Sequence, residues 1–95
     1  MKKEKQYNYY MDAVKDNSDL CSLIAMEECS ELIQAISKAK RGKLDKDNLT
    51  EEIADVLICI DWIKRIYDIK DSEIGSWLYT KKKRITERLN TGEFK

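Results

Sequence analysis

Two acidic clusters, Glu27-Glu28-Cys29-Ser30-Glu31 and Glu52-Ile53-Ala54-Asp55, sit inside segments that otherwise carry the apolar periodicity of helices. At about 100° per residue, Leu20, Ile24 and Ala35 mark one stripe of the first segment, and Glu28 and Glu31 fall within it. In the second segment Ile53, Val56, Leu57, Ile60 and Tyr67 form an apolar stripe, which Glu52 and Asp55, one turn apart, flank on a shared side. If the two helices pack face to face, four carboxylates converge. Their repulsion and lost hydration then destabilise the fold unless cations lie among them. A divalent ion meets that need. Oxygen donors in a chain without histidine favour magnesium, manganese or calcium over zinc or copper. The same absence rules out the ferritin-like di-iron arrangement, which needs Glu-x-x-His on two helices.

The competing explanation is a solvated face, since 38% of the residues are charged and helical glutamates commonly pair with lysine or water. A single Glu-x-x-Glu would be read that way. Two pairs at one-turn spacing, one of them within an apolar stripe, favour the metal, because burying unpaired charge is costly. Asp45-x-Asp47 resembles the start of a calcium loop, but Leu49, Thr50 and Val56 stand where an EF-hand needs a ligand, a glycine and the bidentate glutamate.

The elements that must hold these acids are all helical, in one domain spanning residues 1–95. There is no proline, linker or internal repeat, and 95 residues allow one modest core. Residues 1–18, with Tyr7, Tyr9, Tyr10 and Met11, suggest an arm or short helix ahead of a helical core over 19–90. Asn17 or Ser18 is expected to cap a long helix running to about Lys40, ended by Arg41 and Gly42. Asn48 with Glu51 resembles a capping box for a helix ending near Asp68. Asp71 or Ser72 would cap a last helix carrying Ile74, Trp77, Leu78, Ile85 and Leu89, with Gly75 suited to a close helix approach and Gly92 beyond its end. Cys21, Cys29 and Cys59 read as reduced core residues.

That last helix holds a second cluster, Lys81, Lys82, Lys83, Arg84 and Arg88, with Lys81, Arg84 and Arg88 on one face. Basic residues there also suit the helix macrodipole, yet a cationic stripe beside an acidic metal site is what a polyphosphate needs. Eighteen basic and eighteen acidic side chains cancel, so no whole-chain field would hold nucleic acid by neutralising phosphates. No segment is apolar enough to span a membrane and the opening residues lack a signal sequence's apolar run, so a cytoplasmic protein is expected.

Glu27-Glu28-x-x-Glu31 followed by Glu52-x-x-Asp55 resembles the paired acidic signature of the MazG-type, all-α nucleoside triphosphate pyrophosphohydrolases. The resemblance runs from about Leu20 to Leu89. It includes Leu32-Ile33-Gln34-Ala35-Ile36-Ser37-Lys38, the Arg41-Gly42 stop, Glu51 to Val56, and Lys81-x-x-Arg84-x-x-x-Arg88. These motifs resemble those of compact members of that family from bacteria and their phages. The resemblance implies a bundle of about four helices completed as a homodimer or homotetramer. It also implies cleavage of a nucleoside triphosphate between its α and β phosphates, with magnesium as cofactor and manganese able to replace it. Glu28, Glu31, Glu52 and Asp55 match the metal ligands, and Glu27 the leading acid of the motif. Lys81, Arg84 and Arg88, with Lys38, match positions around the phosphates. Trp62, two turns beyond Asp55, is placed to stack on a base or to pack in the core. Two other classes fit the same acids: a metal- or nucleotide-binding module without turnover, and a helical module that contacts a basic partner.

Overall fold

The computed structural model describes residues 11–92 and contains helices and no strands among them. The helix α1 covers 11–16 of the described residues, and α2 (Ser18–Lys40), α3 (Lys46–Ile66) and α4 (Asp71–Thr91) follow. Tyr7, Tyr9 and Tyr10 of the expected arm lie outside the described residues.

The helix ends are set by local chemistry that departs from the expected caps. Asn17 precedes α2 without capping it; its amide Nδ2 donates to the Ala13 carbonyl (2.8 Å) and closes α1 instead. The α2 helix stops where expected. Gly42 takes a left-handed φ of 81°, and the Lys43 N–H reaches back to the Lys38 carbonyl at 2.9 Å. The cap of α3 is Asp45, whose carboxylate accepts from the Asn48 N–H at 3.0 Å, so Asn48 lies inside the first turn rather than at the cap. Asp45 wins because its backbone is already extended (φ −112°, ψ 99°), as an N-cap requires. Lys70, rather than Asp71 or Ser72, precedes α4, and the Glu73 carboxylate accepts from its N–H at 3.1 Å.

Among the described residues only α2 and α3 pack as a helical pair, forming an antiparallel hairpin. Its buried apolar residues are small, namely Cys21, Ala25, Ala35 and Cys59, joined by Val14 of α1. Such side chains permit a close approach of backbones but bury little apolar area, so they contribute little of the hydrophobic stabilisation a domain needs. The face of α3 turned to α2 carries Glu52 and Cys59 rather than the expected apolar stripe. Ile53, Leu57, Ile60 and Tyr67 are instead exposed, as are Met26 and Ile33 of α2. Of these, Met26, Ile33 and Tyr67 line an apolar groove along one rim of the hairpin with Ile63 and the exposed Cys29. Cys29 is thus a rim residue, unlike the buried Cys21 and Cys59.

The α4 helix packs against neither α2 nor α3 and buries none of its residues. An ion pair between Lys64 and Asp71 fixes its first residue to the end of α3, beside Asp68 in a left-handed conformation (φ 53°). Trp77, Leu78, Ile85 and Leu89 are all exposed. Nothing among the described residues approaches Gly75, so none of them makes the close helix contact expected there.

Candidate metal centre

The hairpin register puts the two acidic clusters opposite each other. Glu28 of α2 faces Asp55 of α3, and Glu31 faces Glu52, near enough that each pair's charges repel. Moving three residues forward on α2 matches three residues back on α3, as antiparallel packing of two 3.6-residue helices demands. One oxygen each of Glu28, Glu31 and Glu52 lies within 4.8 Å of the others. Glu52 is only 8% exposed, which no isolated carboxylate tolerates cheaply.

The electrostatics follow from that crowding. Glu28 is pushed up to about 6, first by loss of hydration and then by the negative charges of Glu31, Asp55 and Glu52. Glu52 is raised by the same causes, with hydration again first and Glu31 and Asp55 after it. Oxygen Oε2 of Glu28 and Oε2 of Glu52 are buried without any hydrogen-bond donor. Two orphaned carboxylate oxygens, with further carboxylates beside them, form a hard donor set that fits a divalent cation.

Glu27 is exposed and lies outside the tight cluster, on the flank of α2 that also carries Glu31. Lys38 is exposed in the last turn of α2, two turns beyond Glu31 on that flank. Trp62 is half-buried on the Asp55 side of α3. Lys81, Arg84 and Arg88 are exposed on α4, which packs on neither of the helices that carry the acidic cluster. Sequence periodicity did not single out Cys59, whose thiol is pushed up by burial first and then by Glu28, at the floor of the acidic site. A cysteine one turn after Asp55 was the available signal.

The model of the MazG nucleotide pyrophosphohydrolase domain matches residues 17–88, which span α2, α3 and nearly all of α4. The chain belongs to the MazG nucleotide pyrophosphohydrolase family. No curated protein and no solved structure matches it. MazG proteins generally depend on divalent metals, and the MazG acidic cluster seen here suits that dependence. No helix among the described residues is long and apolar enough to cross a membrane.

The raised carboxyl groups predict how the metal-free MazG domain responds to pH. An acid whose folded pKa lies above its unfolded value binds extra protons in the native state, so stability rises as pH falls through the interval between them. For Glu28 that interval runs from about 6 down to 4.5. Asp71, held below its usual 3.8 by Lys64, works in the opposite sense only at lower pH. With a chelator present, the thermal midpoint should therefore be higher at pH 5 than at pH 7. Added magnesium should reverse that order, since protons compete with the ion. Scanning calorimetry at both pH values checks it, and identical metal-free midpoints would contradict the crowded-acid description.

Proposed function

We propose that the protein is a magnesium-dependent nucleoside triphosphate pyrophosphohydrolase, releasing a nucleoside monophosphate and pyrophosphate. The observation that carries this reading is the pair of buried, partnerless oxygens on Glu28 and Glu52, set among Glu31 and Asp55 on facing helices. Glu28, Glu31, Glu52 and Asp55 would hold the metal. A divalent cation bound there supplies positive charge against the triphosphate and lowers the pKa of water it contacts. Manganese, with similar oxygen preference, would replace magnesium.

The remaining work falls to the chain's own groups. Glu27, exposed beside the cluster, is suited to orient the attacking water or to extend the site to a second ion. Lys81, Arg84 and Arg88 bind phosphate oxygens, arginine through two parallel N–H groups, and Lys38 adds a charge at the far end of α2. Trp62 offers a face on which a base can stack. No nucleophile from the protein is required. The exposed apolar rim and the unpacked α4 support a homodimer or homotetramer.

The test is to incubate purified protein and magnesium with the common ribo- and deoxyribonucleoside triphosphates and dUTP, and to resolve the phosphorus products. Monophosphate with pyrophosphate is the expected result. Diphosphate with phosphate would overturn the cleavage position. No turnover with either magnesium or manganese would leave a nucleotide-binding module in place of an enzyme.

A further inference from the structure

The acids of the metal centre share their face of the hairpin with small side chains. Along α2 the residues that recur on that face are Cys21, Ala25, Glu28 and Ala35, and along α3 they are Glu52 and Cys59. Ala25, Ala35 and Cys59 are 6%, 5% and 3% exposed, so they lie between the helices rather than beside them. Leu32 and Val56, larger residues near that face, are only half-buried and stand at its edge. The register that sets Glu28 opposite Asp55 and Glu31 opposite Glu52 carries Ala25 to the level of Cys59, one turn from the pair of Glu28 and Asp55. Ala35 lies one turn beyond Glu31 on the other side. Small residues thus bracket the carboxylates along the line where the helices meet.

Side chains of that size let two helix axes approach toward the short end of the usual range of about 8–10 Å. Added carbon there pushes the helices apart, because packed interiors hold little free space. The separation of the axes in turn sets the gap between carboxylates that reach from opposite helices. One oxygen each of Glu28, Glu31 and Glu52 already lies within 4.8 Å of the others. Glu52, only 8% exposed and with its Oε2 unpartnered, has no room to swing out around a larger ion. Such a gap distinguishes cations by size. Magnesium holds oxygen ligands at about 2.0–2.1 Å and calcium at about 2.3–2.6 Å, so in sixfold coordination neighbouring oxygens sit closer around magnesium by about half an ångström.

We infer that Ala25, Ala35 and Cys59 act as a size gauge for the metal centre, holding α2 and α3 close enough to favour magnesium over calcium. They are positioning residues and supply no ligand atom themselves. The inference rests on the proposed function only in taking a divalent cation among the acids, and it narrows the choice that oxygen donors alone leave open.

The test enlarges these side chains in the whole chain and reads cation binding without nucleotide, from the rise in thermal midpoint as magnesium or calcium is titrated into metal-free protein. Wild type should respond at lower concentrations of magnesium than of calcium. Ala25→Val and Cys59→Leu should weaken magnesium more than calcium, moving the ratio of the two affinities by about tenfold toward calcium. Where either fails to fold, the smaller steps Ala25→Cys and Cys59→Val should move the ratio about threefold in the same direction. Cys59→Ala, which adds no bulk, should keep the wild-type preference. A purely packing role would lower the metal-free midpoint and weaken both ions alike, so a constant ratio overturns the gauge, as does a wild type that binds calcium more tightly. Protein that takes magnesium selectively yet hydrolyses no nucleotide would reject the proposed function and leave the gauge standing. No response to either ion would reject both.

Discussion

Replacing Glu52 with glutamine is expected to reduce turnover on the order of 10³-fold or more while raising the thermal midpoint of the metal-free protein. The two effects have one cause. Glu52 is the buried member of the cluster, its Oε2 has no donor, and its neighbours Glu31 and Asp55 repel it. Glutamine keeps the shape and removes a negative charge, which relieves repulsion in the empty site and deprives a cation of a charged ligand in the filled one. A structural carboxylate would behave oppositely, losing stability with its charge and leaving chemistry little altered. Glu28→Gln should resemble Glu52→Gln, and both should lose the midpoint increase that magnesium gives the wild type. Calorimetry with and without the ion, alongside pyrophosphate release, provides the check. An active Glu52→Gln enzyme would remove Glu52 from the metal site.

The second large effect is expected at Leu78. Among the described residues no large side chain is fully buried, and Leu78 is 50% exposed on the face of α4 that carries Trp77 and Ile85. If that face is covered by another copy, Leu78→Asp loses about 2 kcal/mol of apolar burial and buries a carboxylate. Two-fold symmetry counts the loss twice, so dimer dissociation should strengthen by about 10³-fold. Sedimentation at micromolar concentration should show the wild type assembled and Leu78→Asp as monomer. The wild-type midpoint should also rise with protein concentration, as expected when folding and assembly are linked. A wild-type monomer insensitive to dilution would contradict this account.

The acidic centre was legible in the sequence because helix geometry alone converts Glu28 and Glu31, and Glu52 and Asp55, into facing pairs, and because unpaired carboxylates in apolar context demand an explanation. The orientation of α3 was less legible. Periodicity marked Ile53, Leu57, Ile60 and Tyr67 as a face to be covered but carried no information on whether α2 or another chain covers it. The hairpin spends its internal face on Glu52 and Cys59 and leaves the larger residues outside. Cap assignment failed for a local reason: Asp45 and Asn48 are both competent caps, and the extended backbone at Asp45 decides between them. Gly75 was matched to a helix approach that none of the described residues supplies.

The corner between α3 and α4 is held by Lys64 with Asp71 and by the left-handed Asp68. It directs α4 away from the hairpin and leaves the face with Trp77, Leu78 and Ile85 uncovered by α2 and α3. The corner thus works as a steering joint remote from the acids. Altering Lys64 or Asp71 would swing a whole helix while the facing carboxylates of α2 and α3 stay where they are, so a defect there would show in what α4 meets and not in the affinity of the acidic centre for a cation.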